Sequence, residues 1–161
     1  MHAAILGEAR LGKSIVILGA GTIGLMVLQA CKSLGATDIT VVDVMDKRLD
    51  LAKELGASRT INGAKEDTVA LLRSEELFGD HGVELVFECA GSTFTANQAV
   101  QIVARGGKIM MVGTQSKPVP IDFLKINREV TIQTSFRYCN NYPQTIEAIR
   151  SGKFNVKDMV T

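Results

Sequence analysis

The sequence predicts a doubly wound α/β domain, with six parallel strands in the order 3-2-1-4-5-6 and helices on both faces of the sheet. Three observations carry that prediction. Short apolar, β-branched runs alternate with segments of helical periodicity along the whole chain. The first such run, Ser14-Ile15-Val16-Ile17-Leu18, passes straight into Gly19-Ala20-Gly21-Thr22-Ile23-Gly24, a G-x-G-x-x-G turn that opens a helix. Two of the helical segments then stop on the same signal, Leu34-Gly35-Ala36 and Leu55-Gly56-Ala57, with glycine at the left-handed cap position.

Taken in order, Ala3, Ala4, Ile5, Leu6 and Ala9 predict a short helix within 1–11. Strand one covers 14–18. The helix over 22–34 places Ile23, Val27, Cys31 and Leu34 on one core-facing stripe. Strand two is 38–43. Asp46 reads as the cap of the next helix, in which Leu49, Ala52 and Leu55 face inward. Strand three lies near 59–61, and a polar helix follows across 66–77. After the turn Gly79-Asp80-His81-Gly82 comes strand four, 83–88. Ser92 caps a helix that runs to about Ala104 and ends at Gly106-Gly107. Strand five is 108–112. Pro118 and Pro120 mark an extended connection, and 121–128 holds a single helical turn. Strand six, 130–136, alternates with period two, and a last helix follows Asn140-Asn141-Tyr142-Pro143 with proline in its first turn.

Composition bounds the function. The 161 residues suit one domain, and 46% hydrophobic with 22% charged residues is the balance of an ordinary soluble globular protein. Eighteen Lys and Arg stand against 17 Asp and Glu, and there is no Trp, so no basic surface with interleaved aromatics points to nucleic acid. No apolar run approaches the roughly 20 residues that cross a bilayer. The N-terminus lacks the basic start and apolar core of a signal peptide. Three cysteines far apart, Cys31, Cys89 and Cys139, build neither a disulfide framework nor a metal knuckle. The expected compartment is the cytoplasm.

The glycine turn is where a dinucleotide would bind. Gly19 turns the chain out of the strand, Gly21 removes a side chain where a pyrophosphate approaches, and Gly24 lets helix and strand pack closely. Thr22 and Ile23 open the helix whose first N–H groups face the anion. Asp43, at the end of strand two and 19 residues beyond Gly24, is placed to accept hydrogen bonds from ribose hydroxyls. A carboxylate there repels a 2′-phosphate, so NAD is expected over NADP. Arg48 can reach the adenine or the same ribose. Cys89-Ala90-Gly91 and Val112-Gly113-Thr114, at the ends of strands four and five, leave room for a flat ring and free backbone groups for a carboxamide. Cys89 is a small buried residue in this reading, because no histidine stands near it to activate a nucleophile. His2 and His81 have no metal-ligand spacing, so no metal site is expected within the chain.

At this point the chain resembles a known family. The glycine turn, Val42-Asp43, Val86-Phe87-Glu88-Cys89-Ala90-Gly91 and Gly106-Gly107-Lys108-Ile109-Met110-Met111-Val112-Gly113 are similar to the cofactor domain of zinc-dependent medium-chain dehydrogenases. Phe136-Arg137-Tyr138-Cys139-Asn140 resembles a segment of the sorbitol, iditol and xylitol dehydrogenases. The resemblance implies NAD contacts from Ile23, Asp43, Arg48, Val112, Gly113, Thr114, Ser135, Phe136 and Arg137, with Arg137 and Tyr138 reaching the polyol substrate. It also implies a zinc ion that lowers the alcohol's pKa so that hydride can pass to the nicotinamide. In the family that zinc is held largely on a separate N-terminal domain, so this sequence reads as a cofactor domain excised from a larger enzyme and inactive alone.

Two alternatives share the glycine turn: a stand-alone NAD-sensing regulatory module, and an adenosylmethionine-dependent methyltransferase. The sensing module does not account for the ends of strands four and five or for Phe136-Arg137-Tyr138, and competition binding of NAD against adenosylmethionine separates the methyltransferase. An uncovered strand 130–136 at the sheet's edge would favour a homo-oligomer.

Overall fold

The computed structural model describes residues 1–126, 128–138 and 140–159. Asn127 and Cys139, which belong to segments singled out above, and the C-terminal Val160 and Thr161 lie outside the described residues. Six strands, β1 (Ser14–Leu18), β2 (Asp38–Asp43), β3 (Arg59–Asn62), β4 (Val83–Glu88), β5 (Val103–Met111) and β6 (Thr131–Thr134), form one parallel sheet in the order β3-β2-β1-β4-β5-β6.

The central strands β1, β2 and β4 are buried on both faces, and the pleat divides their side chains between two cores. Ile15 and Ile17 of β1, Ile39 and Val41 of β2, and Leu85 and Phe87 of β4 point to one side. There they meet α1 (His2–Leu6), α2 (Thr22–Ser33) and α3 (Asp46–Glu54), together with Ala148 of α7 (Tyr142–Arg150). Val16, Leu18, Val42, Val86 and Ile109 point to the other. They pack on Leu72 of α4 (Thr68–Leu72), Val100 and Ile102 of α5 (Thr93–Ile102), and Ile126 of α6 (Phe123–Ile126). Continuous apolar strands, rather than alternating ones, are what a sheet covered on both faces requires.

Several elements differ from the sequence expectation for identifiable reasons. The first helix ends at Leu6, because Gly7 packs against the Phe87 ring and Glu8 adopts a left-handed φ of 56°. Asp46 is not a cap. Met45 holds that position, while the Asp46 carboxylate accepts from Asn62 Nδ2 at 2.7 Å and Lys65 Nζ at 2.8 Å. The helix expected over 66–77 shrinks to α4, capped by Asp67. Beyond it the Arg73 guanidinium donates to the carbonyls of Gln101, Val103 and Asp80 and draws residues 73–80 across the end of α5. Gly106-Gly107 does not end a helix. α5 stops at Ile102, β5 begins at Val103, and the register jump from Val83↔Val103 to Leu85↔Lys108 makes the glycine pair a bulge within β5.

Candidate dinucleotide site

The carboxyl ends of β1, β2, β4 and β5 converge on the glycine turn, the crevice in which open α/β sheets bind ligands. Gly19 leaves β1 with φ +103°, and its N–H donates to Val42 O at 2.7 Å, tying the turn to β2. A Cβ on Gly24 would lie 1.8 Å from the carbonyl oxygen of Gly19, so the first turn of α2 rests directly on the loop. Gly21 is different. A Cβ there would meet nothing within 4 Å, so the N-terminus of α2 faces open space at this residue. No side chain caps α2, which leaves its first N–H groups to solvent or to an anion.

Asp43 is buried at the end of β2, and its carboxylate is fixed by the backbone around it. Oδ2 accepts from Ala20 N–H at 2.7 Å, and Oδ1 accepts from Val44 N–H at 2.8 Å and Met45 N–H at 3.0 Å. The group therefore has one orientation, with a lone pair of Oδ2 still available. Arg48 Nη1 stands 3.7 Å from that oxygen on a half-exposed side chain, an ion pair worth no more than about 1 kcal/mol after solvent screening.

Two cavities flank the turn. The first, about 260 Å³, is lined by Gly19, Asp43, Arg48 and Ala90 together with Val44, Thr68, Phe94 and Gln98. The second, about 280 Å³, is lined by Ile23, Val112, Thr114, Ser135 and Arg137 together with His2 and Met26. Nine of the residues singled out in the sequence thus divide between two compartments, with Gly21 and Thr22 at the head of α2, while Gly24, Cys89, Gly91 and Gly113 line neither. Phe136 and Tyr138 line neither. Phe136 is exposed beneath the Arg137 guanidinium, 5.1 Å from its ring centre. Tyr138 packs edge-on against Tyr142. Arg137 itself sits at a left-handed φ of 53° as the chain leaves β6.

Between the cavities, the loops after β4 and β5 touch backbone to backbone. A Cβ on Gly113 would lie 2.4 Å from Gly91 N, and one on Gly91 would lie 2.7 Å from Thr114 O. Glu88 holds the two loops together. It is fully buried; Oε1 accepts from Ala90 N–H (3.0 Å), Gly91 N–H (2.9 Å) and Thr95 Oγ1 (2.7 Å), and Oε2 accepts from Gln115 Nε2 (2.9 Å). The N-terminus of α5, with Thr95 in its first turn, adds favourable dipole at the same place. Cys89 beside it donates its N–H to Leu18 O and packs its side chain on the core; burial, then the Glu88 charge, pushes its thiol up, away from the reactive thiolate. Burial likewise pushes the Cys31 thiol up to about 12.

A family model matches residues 22–151, and its description is zinc-binding dehydrogenase. The chain belongs to the zinc-binding dehydrogenase family. Within it, the chain is 38% identical to the sorbitol dehydrogenase of Bacillus subtilis over 164 aligned positions, covering all of this chain and 46% of that protein. It is 62% identical to a solved Escherichia coli oxidoreductase/dehydrogenase of unknown specificity, with a TM-score of 0.96 over 99% of this chain and 46% of that one. A Sinorhizobium meliloti protein of the zinc-binding dehydrogenase type, solved bound to NADP, is 27% identical with a TM-score of 0.91, over 98% of this chain and 47% of that one. This zinc-binding dehydrogenase chain spans about half the length of the curated relatives it matches. Among its described residues no group of three or more His, Cys, Asp and Glu could hold a metal ion, and no helix is long and apolar enough to cross a membrane.

Sequence reasoning missed Glu88, Thr68, Phe94 and Gln98 as site residues. A signal for Glu88 was there: a carboxylate directly after the apolar run Leu85-Val86-Phe87, in a strand expected to be covered on both faces, must find donors. Thr68, Phe94 and Gln98 carry no such mark, since only the packing of α4 against α5 brings them to the cavity.

Proposed function

We propose that this chain is the cofactor-binding domain of a longer zinc-dependent dehydrogenase that oxidises a sugar alcohol, and that it binds NAD in preference to NADP. The observation that carries the cofactor choice is the Asp43 carboxylate, which lines the first cavity and is held in place by three backbone N–H groups. So anchored, it accepts from ribose hydroxyls and cannot swing away from a 2′-phosphate. Arg48, which could otherwise welcome that phosphate, is already turned to the same carboxylate.

The cradle fits a dinucleotide in other respects. Gly21 leaves open space over the head of α2 for a pyrophosphate, and the cavities on either side suit the adenosine and nicotinamide halves. When bound, the nicotinamide ring supplies a hydride acceptor. The part of this chain is to orient that ring with Val112, Thr114, Ser135 and Arg137 and to shield its buried face. Arg137 and Tyr138 are the residues proposed to reach the polyol. The zinc ligands, and with them turnover, are assigned to parts of the longer protein outside this chain, in line with the 46% share of its relatives that the chain spans. The exposed edge strand β6, last in the sheet, supports self-association of that protein, and cysteines left unpaired at 31 and 89 support a reducing compartment such as the cytoplasm.

Asp43→Asn tests the cofactor reading. The amide removes the charge and keeps one acceptor oxygen, which serves the Val44 and Met45 N–H groups while its NH₂ faces the Ala20 N–H. Calorimetric titration is expected to show NAD binding weakened about tenfold, the scale of losing a charge-assisted hydrogen bond, with NADP gaining relative to NAD. An unchanged NAD-to-NADP affinity ratio would remove Asp43 from the account.

A further inference from the structure

We propose that a cavity at the amino ends of β5 and β6 binds a small phosphate monoester that also carries hydroxyl groups. The cavity, about 360 Å³, is lined by Arg105, Leu124, Arg128 and Glu129. Its volume falls within the roughly 300–1,000 Å³ of small-molecule sites. Arg105 is the third residue of β5, and Arg128 and Glu129 come just before β6. The dinucleotide crevice lies at the carboxyl ends of the strands, so the two sites are separate and this inference does not rest on the cofactor reading.

The positive charge at this cavity has no counterpart in the free protein. Arg105 and Arg128 make no side-chain hydrogen bond and no ion pair among the described residues. A third guanidinium is near: burial, then the Arg128 charge, lowers the pKa of Arg73. Arg73 is occupied with the backbone carbonyls of Gln101, Val103 and Asp80, so it adds positive field rather than a free donor. Backbone contacts, not attraction, bring Arg105 and Arg128 together. The bulge in β5 turns at Gly106, φ +65°, whose N–H donates to Arg128 O at 2.9 Å. Glu129 follows at a left-handed φ of 62°, a conformation that costs free energy in any residue but glycine. Like charges held together beside a strained residue destabilise the free protein, and an anion between them relieves that repulsion.

The lining narrows the class of ligand. Guanidinium forks pair in bidentate fashion with the oxygens of a phosphate or a carboxylate. Two unpaired forks balance the nearly double charge of a phosphate monoester better than the single charge of a carboxylate. Glu129, also without a side-chain partner among the described residues, disfavours a bare phosphate ion but accepts from hydroxyls a few bonds away. Leu124, 84% exposed, offers an apolar wall to the carbon chain between them. An anionic end, hydroxyl groups and a carbon face together describe a phosphorylated polyhydroxy compound.

The test is calorimetric titration of the purified protein with glycerol 3-phosphate and with inorganic phosphate, at equal ionic strength and with saturating NAD present. The wild type is expected to bind glycerol 3-phosphate about tenfold more tightly than inorganic phosphate, as one or two added hydrogen bonds imply. Arg105→Gln and Arg128→Gln should each weaken glycerol 3-phosphate about tenfold, the scale of a charge-assisted hydrogen bond, and leave NAD affinity unchanged. Neither should lower Tm, because neither side chain has a partner in the free protein. Glu129→Gln should narrow the preference over inorganic phosphate. Equal affinity for the two phosphates, or glycerol 3-phosphate affinity unchanged in both arginine variants, would overturn the inference and leave the dinucleotide reading standing. Co-sedimentation with phosphatidic acid vesicles, without saturable binding of glycerol 3-phosphate, would overturn it in favour of a lipid headgroup.

Discussion

Gly24→Ala is expected to lower stability by about 2 kcal/mol and to abolish dinucleotide binding. Two effects oppose each other at this residue. Alanine in place of glycine inside a helix gains about 1 kcal/mol of helix propensity. The added Cβ, however, would lie 1.8 Å from the carbonyl oxygen of Gly19 and 2.9 Å from its carbonyl carbon, both backbone atoms that no rotamer change can move aside. Overpacking of that kind costs about 3 kcal/mol or more, so the clash wins. For a domain of this size the net loss is a fall in Tm of about 4–8 °C, measurable by circular dichroism. The strain is relieved only by lifting α2 off the loop, which displaces the Ala20 N–H from Asp43 and spoils the cradle. A variant that melts like the wild type and binds NAD normally would show that the contact between α2 and the turn is not needed.

Glu88→Leu is expected to cost about 3 kcal/mol. The substitution keeps the bulk of the side chain and removes the acceptor for Ala90 N–H, Gly91 N–H, Thr95 Oγ1 and Gln115 Nε2. Each buried donor left unpaired costs about 1–3 kcal/mol. Ala90 and Gln115 are open enough to recover part of this from water, which leaves a total near the stated value. Glu88→Gln separates charge from hydrogen bonding. Its oxygen can serve the three donors at Oε1 while its NH₂ opposes Gln115, whose amide can turn to accept, so about 1 kcal/mol is expected. Thermal melts of both variants should order wild type, Glu88→Gln and Glu88→Leu from most to least stable. Equal melting temperatures would deny Glu88 its part in joining the loops.

Much of the fold was legible because the sequence repeats one local grammar. Val16 and Ile17, neighbours on β1, serve opposite cores, which is why the strands read as unbroken apolar runs and why both faces had to be covered. The glycine turn and Asp43 were legible for a related reason: each lies where a strand ends, and strand ends in a parallel sheet gather at one crevice. What was hidden depends on contacts distant in sequence. The Arg73 guanidinium shortens α4 by binding carbonyls nearly thirty residues away, at Gln101 and Val103. The register jump that puts Gly106-Gly107 into β5 is set by pairing with β4. Thr68 and Gln98 are ordinary polar helical residues until α4 packs on α5. Arg48 was ambiguous in the sequence, and its approach to Asp43 across one turn of α3 is what puts it at the cavity.

The central claim is that the turn from Gly19 to Gly24, with Asp43, forms a cradle for NAD. It is tested most directly by titrating the purified protein with NAD and with NADP under identical ionic strength in a calorimeter. The account predicts saturable one-to-one binding of NAD in the micromolar-to-millimolar range, about tenfold or more tighter than NADP, because the fixed Asp43 carboxylate favours ribose hydroxyls and repels a 2′-phosphate. NADP binding as tightly as NAD, or no binding of either dinucleotide, would contradict it.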